Sequence, residues 1–365
     1  MNSPPLPTSR YSLTYPEEFQ QVILEKSENF VGREFIFTAI NDFLQRYKRG
    51  YFTIVGVPGS GKSAILAQYV QANPNTIYYN VQIPGKNQVE EFFKIVCSQL
   101  TEFLASLTTT QSSPAELLIE NAGGGSWLLS RLLQQISDKL TSEQKLIIII
   151  DGLEAIDIYS QPPGTNLFYL PRYLPDGVYF LFSRRPYQRS LSGLLIEAPS
   201  QLIDLADYEQ ENQEDIKLYI QLYIQQYVSL AEREINLFSE NEVNFMYVRE
   251  TLKAMNEGFY GESEDFKMIP PDLEIYYQQH WQKIQGDNLS DVGVEVLRVL
   301  TAAEGLGLSM QMISQMIDVD VYDVAEVLEG WFEFFLECRE GEERFYKLYH
   351  EHFRVWLAMK LMPGN

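Results

Sequence analysis

"YFTIVGVPGSGKSAIL", Tyr51 to Leu66, is the stretch whose reading decides the fold. "YFTIVG" has strand character, a glycine-rich turn follows, and Ala64 to Gln71 reads as a helix. Between them "GVPGSGKS", Gly56 to Ser63, fits G-x-x-x-x-G-K-[ST] in the strand-to-helix context that the motif requires. Its glycines let backbone N–H groups turn inward around phosphate oxygens, and the helix that follows adds its N-terminal dipole. Lys62 is then placed for the β- and γ-phosphates of a nucleotide and the Ser63 hydroxyl for Mg²⁺. The plainer alternative is a glycine-rich turn with a chance Lys-Ser pair.

Strands alternate with helical patterns on both sides of this motif. "TIYYNVQI" (Thr76 to Ile83), "IIIID" (Ile147 to Asp151), "GVYFLF" (Gly177 to Phe182) and "QLIDL" (Gln201 to Leu205) read as further strands. Such alternation implies a parallel α/β sheet. "IIIIDGLEAID", Ile147 to Asp157, is an apolar run ending in a carboxylate, the pattern of a buried parallel strand that delivers Asp151 to a ligand edge. Downstream of a phosphate loop, Asp151 is expected to hold Mg²⁺ directly or through water; an N-cap on the next helix is the competing role. Phosphoryl transfer to water needs a group that orients the water, and the place next to Asp151 holds only Gly152, so Glu154 is the residue that could position water, against the alternative of a solvated acid at a helix start. Asp157 is expected to cap or line the next helix. The order of the strands predicts one additional strand between the lysine strand and the aspartate strand.

The chain has 365 residues, 45% of them hydrophobic and 13% aromatic, which describes a globular protein of two or three domains. Net charge is −22, which argues against generic binding to nucleic acid or an anionic membrane. Two cysteines cannot build a disulfide framework, so a reducing cytoplasm is expected. The Pro/Ser-rich start lacks the apolar core of a signal peptide, and no apolar run is long enough to span a bilayer. Residues 1–28 are expected to be a flexible lead-in with a short helix around Glu17 to Lys26. A helix should begin at Glu34 and end near Gly50, and another should cover "NQVEEFFKIVCSQLTEFL". "NAGGGSW", Asn121 to Trp127, has no preceding strand and no following lysine, so it reads as a connection between helices and not as a second phosphate loop. From Asp215, "DIKLYIQLYIQQYVSL" sets Ile216, Tyr219, Ile220, Tyr223, Ile224 and Tyr227 on one helical face, and helices continue to about Ile284.

Several motifs in order resemble one family. "NFVGRE" (Asn29 to Glu34) precedes the phosphate loop by about twenty residues. "IIIIDGLEAID" is similar to the hhhhDGhDE motif of NACHT proteins, and "YLPDGVYFLFSRRP" (Tyr173 to Pro186) to their stretch leading to a sensor arginine. "DLADYEQENQEDIKLYI" resembles the opening of their helical domain, and "FYKLYHEHFRVWL" the end of their winged helix. The resemblance covers about residues 28 to 360 and implies the NACHT-type core of a STAND ATPase, a signalling branch of the AAA+ superfamily. The fold it implies is an α/β P-loop NTPase domain over 29–206, a helical domain over 207–287 and a winged-helix domain over 288–365.

The resemblance also implies roles. Phe30, Val31 and Arg33 would line the adenine side; Gly56, Pro58, Gly59, Ser60, Gly61, Lys62, Ser63 and Ala64 would cradle phosphates; Ser63 and Asp151 would hold Mg²⁺. Arg184 or Arg185 would sense the γ-phosphate, the register of "SRRP" leaving the choice open, with a surface pair as the alternative. His350 would reach the β-phosphate of bound ADP, unless it is an ordinary half-buried histidine. Two departures stand out: Ala155 replaces the second acid of the motif, and "VNFMYV" (Val243 to Val248) replaces the glycine–proline element near the adenine. The expected function is an ATP/ADP switch with slow hydrolysis, forming a homo-oligomer with ATP and acting on sensor or effector proteins. A remodelling AAA+ machine is the first alternative. A DNA-binding regulator is the second, disfavoured because residues 288–365 carry 14 Asp and Glu against 6 Lys and Arg. No nucleic-acid or membrane partner is expected. The resemblance implies an effector domain before such a core and a repeat sensor after it, so either a fragment of a longer chain or a stand-alone switch is expected.

Overall fold

The computed structural model describes residues 13–107, 125–157, 161–162, 164–186, 194–226, 244–257, 269–285, 289–303, 306–331, 334–340 and 343–361. Two compact units account for the chain. The first comprises residues 1–56, 62–185 and 192–211; the second comprises 57–61, 186–191 and 212–365.

In the first unit, β1 (Gly50–Val55), β2 (Ile77–Asn80), β3 (Leu146–Asp151), β4 (Val178–Arg184) and β5 (Ser200–Asp204) form one sheet in the order β2-β3-β4-β1-β5. Every pairing is parallel, and β4 lies between β1 and β3 as the strand order predicts. β1 and β2 are buried at every position, because helices cover both faces of a parallel sheet and leave no face for polar alternation. β5, the edge next to β1, is the more exposed strand.

The covering helices are α1 (Glu17–Ser27), α2 (Glu34–Arg46), α3 (Lys62–Ala72), α4 (Val89–Leu107) and α5 (Gly125–Ser137). In α4 the buried Phe92, Val96, Leu100 and Phe103 fall three and four residues apart, which turns one stripe toward the sheet. α1 corrects part of the expectation for a flexible lead-in. Phe19 is wholly buried and meets Tyr78 and Tyr79 edge-on, at 5.8 and 5.5 Å between ring centroids. Two buried apolar residues four apart, Phe19 and Ile23, dock this helix on one face. Most of "NAGGGSW" lies outside the described residues.

The second unit contains α6 (Glu209–Gln226, from Asn212 onward), α7 (Phe245–Asn256), α8 (Pro271–Gln285), α9 (Asp291–Ala302), α10 (Met310–Ile317), α11 (Val321–Gly330), the antiparallel pair β6 (Phe335–Glu340) and β7 (Glu343–Leu348), and α12 (Glu351–Lys360). Its core is aromatic: Trp281 meets Trp331 and Trp356, and Phe334 stacks on Phe353 at 4.9 Å. Side chains set the helix starts. Asn244, Ser290, Ser309, Asp320 and His350 each accept a backbone N–H in the first turn, and Pro271 opens α8, where its missing N–H costs nothing. The expected face of α6 holds for Ile216 and Ile220, which are buried; Tyr227 lies outside the described residues. Among the described residues no helix is long and apolar enough to cross a membrane.

Ile149 lies in the middle of β3 with no exposed surface. Ile149→Ala should therefore cost about 2–5 kcal/mol of folding stability, read from urea unfolding followed by far-UV circular dichroism.

Candidate functional site

Parallel strands bring their C-terminal ends to one edge of the sheet, and the loops leaving that edge carry the candidate residues. β1 ends at Val55, and the chain enters α3 at Lys62 through a loop in which Gly59 and Gly61 adopt φ values of 80° and 92°. Residues with a Cβ rarely take that conformation, so the glycine spacing is a backbone requirement. Lys62 is 8% exposed and its Nζ donates to the Gly56 carbonyl at 2.6 Å. The turn closes through a bond from Ser60 N–H to the Val57 carbonyl at 3.2 Å.

Asp151 closes β3 with no surface exposed. Its Oδ1 accepts from Ser63 Oγ at 3.0 Å and, through a short bond, from Ser183 Oγ. Its Oδ2 accepts from Asn80 Nδ2 at 3.2 Å and faces the Tyr78 hydroxyl at 3.4 Å. Burial pushes its carboxyl above the usual range, while bonds from Ser183 and Ser63 pull it back. Burial, and Asp151 beside it, hold the Tyr78 phenol well above its ordinary value.

Gly152, at φ 84°, turns the chain into a short 3₁₀ turn, Leu153–Ala155. Both oxygens of Glu154 are engaged. Oε1 accepts from Gln82 Nε2 at 2.9 Å and pairs with Arg185 Nε at 3.2 Å, and Oε2 accepts from Arg185 N–H at 3.2 Å. The side chains of Glu154 and Arg185 are each 13% exposed, so the ion pair is largely buried. The solvated acid that the sequence leaves open is thus replaced by a paired one. Asp157 accepts from Gln88 Nε2 at 3.2 Å, away from this cluster.

The two arginines separate. Arg185 takes Glu154, whereas Arg184 donates to the Arg185 carbonyl at 3.2 Å and its charge helps lower the carboxyl of Asp204 at the end of β5. Burial pushes the Asp204 carboxyl up, and the bond from Ala206 N–H opposes it. "NFVGRE" forms a bend in which Asn29, Gly32 and Arg33 take φ values of 54°, 65° and 65°. Arg33 is 2% exposed, with its guanidinium over the Phe35 ring, and Phe30 packs on Phe37. Val31 and Ala64 are half-buried.

In the second unit, His350 caps α12: its Nδ1 accepts from His352 N–H at 3.3 Å. Tyr247, in the first turn of α7, lies 4.9 Å from the His350 ring and 4.2 Å from that of His352. Also within this unit, Asn244 Nδ2 donates to the Pro58 carbonyl at 3.1 Å, and Met246 N–H donates to the Gly59 carbonyl at 3.2 Å. The "VNFMYV" stretch therefore meets the phosphate loop by a helix start.

Sequence reasoning missed Tyr78, Asn80, Gln82, Ser183, Asp204 and Asn244. "QLID" repeats the pattern of "IIIID", an apolar run ending in an acid, and that signal could have found Asp204. The others are visible only in the strand register and tertiary contacts. Ser183→Ala would leave Gly152 N–H without its acceptor, a 2.8 Å bond, and remove a donor from Asp151. It should cost about 1–3 kcal/mol in urea unfolding.

Residues 29–174 match the AAA ATPase domain family. No curated protein matches the chain. Among solved structures, the Drosophila ORC bound to DNA aligns over 94% of this chain and 98% of its own at 10% identity, with a TM-score of 0.36. The Thermotoga maritima RuvB Holliday junction branch migration motor aligns over 92% and 98% at 12% identity, with a TM-score of 0.35. Scores this low carry no functional argument, and the expectation of no nucleic-acid partner gains no support from them. The matched segment carries the glycine loop and strands β1, β2 and β3 of the parallel sheet, so residues 29–174 are similar to AAA-type P-loop ATPase domains.

Proposed function

We propose that the chain is a nucleotide-dependent switch of the NACHT-type STAND class, holding ADP at rest and ATP when active, with slow hydrolysis. The observation that carries this reading is the occupation of Glu154. A carboxylate that positions water must offer an oxygen to it. Both oxygens of Glu154 are committed to Gln82 and Arg185, and Gly152 brings no second acid next to Asp151.

Ser63 and Asp151 suit Mg²⁺. A hydroxyl and a carboxylate oxygen converge at 3.0 Å, and the carboxylate is held above its usual range by burial, a cost that a cation would offset. When bound, the ion would supply charge neutralisation to the phosphates. No group of three His, Cys, Asp or Glu side chains able to hold a metal occurs among the described residues, so water and phosphate oxygens would complete the shell. Lys62 would exchange the Gly56 carbonyl for phosphate oxygens. Arg184 or Arg185 would sense the γ-phosphate, while the bonds from Gln82 Nε2 and the Arg185 backbone N–H would keep both oxygens of Glu154 engaged. Phe30, Val31 and Arg33 would serve the adenine side, and His350 the β-phosphate.

The proposal divides the chain into 29–206 for the nucleotide, 207–287 helical and 288–365 winged-helix; the order of α9, α10, α11, the β6–β7 pair and α12 supports the last of these. ATP-dependent homo-oligomerisation, sensor or effector proteins as partners, and a cytoplasmic location complete the proposal. The matched AAA ATPase domain is equally compatible with a remodelling machine, which differs in turnover.

Lys62→Ala should weaken ADP and ATP binding about tenfold or more in equilibrium titrations, since charge-assisted bonds to phosphate are worth about 1.5–3 kcal/mol. An affinity within about twofold of the parent would remove the phosphate-loop assignment. Steady-state turnover should be on the order of 10⁻³ s⁻¹, the range of switch NTPases without an activator. Turnover above about 1 s⁻¹ that Glu154→Gln abolishes would instead establish the machine.

A further inference from the structure

Asn244 lies 186 residues from Pro58 in sequence, yet its side chain performs two jobs at once. Oδ1 accepts Tyr247 N–H at 3.1 Å, which caps α7, and Nδ2 donates to the Pro58 carbonyl at 3.1 Å. Two residues on, Met246 N–H donates to the Gly59 carbonyl at 3.2 Å. The approach is close enough to depend on glycine: a Cβ at Gly59 would stand 2.3 Å from Asn244 Oδ1. Asn244 is itself only 3% exposed.

The consequence follows from peptide geometry. In a trans peptide the C=O and N–H point in opposite directions. A bond that fixes the Pro58 carbonyl therefore fixes the Gly59 N–H on the other side of the plane. The bond to the Gly59 carbonyl fixes the Ser60 N–H in the same way, and that group already turns into the loop toward the Val57 carbonyl. Phosphate loops bind through inward N–H groups. Holding the outward carbonyls orients those donors before a ligand arrives, which removes part of the ordering cost of binding.

We propose that Asn244 is a positioning residue for the phosphate loop, presetting its N–H donors for nucleotide phosphates through the Pro58 carbonyl. The inference rests on the nucleotide-binding reading above and adds a residue to it from outside the matched segment. Tyr247, one turn from Asn244, packs against His352 and His350 at the start of α12. The same first turn of α7 thus joins the loop to the histidine cap.

The test separates positioning from capping. Asn244→Asp and Asn244→Ser both keep a good N-cap. Asp has no side-chain donor for the Pro58 carbonyl, and Ser is too short to reach it. Each should bind a fluorescent ADP analogue with Mg²⁺ about five- to tenfold more weakly, the value of one hydrogen bond, and Asn244→Ser should lose less melting temperature in the absence of nucleotide than Asn244→Ala, which removes the cap as well. Asn244→Ala should lose both affinity and melting temperature. Parental affinity in the Asp and Ser variants, with Lys62→Ala still defective, overturns the positioning role and leaves a cap alone. Parental affinity in Lys62→Ala overturns the nucleotide reading and this inference with it.

Discussion

A carboxylate with no exposed surface is expensive, and the first unit is organised around the one at the end of β3. Removing an ionised group from water costs several kcal/mol unless hydrogen bonds and opposite charge offset it. Asp151 receives donors from three elements: Ser63 from α3, Tyr78 and Asn80 from β2, and Ser183 from β4. That set exists because β3 lies between β2 and β4 and because the register places Asn80 opposite Asp151. A slip of one residue in either pairing would turn those side chains to the other face of the sheet. Strand order and site chemistry are here one constraint.

The same edge gathers the cations. The chain carries a net charge of −22, yet Lys62, Arg184 and Arg185 stand around Asp151, Glu154 and Asp204 at the ends of adjacent strands. Each acid offsets a cation that a nucleotide would otherwise have to neutralise alone. Phosphate binding at this edge would therefore exchange existing partners and not fill an unbalanced field. Such exchange makes affinity sensitive to how firmly each partner is held.

The legible parts of the sequence were those governed by short-range rules. Buried parallel strands read as apolar runs, so β3 and β4 stand out, and the left-handed turns of the phosphate loop demand glycine at Gly59 and Gly61. Long-range partners were silent. Gln82 meets Glu154 across 72 residues and Ser183 meets Asp151 across 32, and nothing local to either residue announces the other. The ambiguity of "SRRP" has the same origin: two adjacent arginines are equivalent in sequence, and only β4 ending at Arg184 sends the next residue toward Glu154. α1 was half legible, since its helical pattern was plain but its docking depended on the aromatic face of β2.

Asn244 shows how a departure from a family pattern can still be functional. Where the resemblance leads one to expect a glycine–proline element, the chain places a polar N-cap followed by an aromatic. An N-cap residue has its side chain turned toward the first helical N–H groups, which leaves the amide nitrogen of an asparagine facing outward and available to a second acceptor. The Pro58 carbonyl is that acceptor, and Gly59, lacking a Cβ, lets it come close. Serine, aspartate or threonine would cap α7 as well, so capping alone does not select asparagine. A residue that must both accept from its own helix and donate to a loop does.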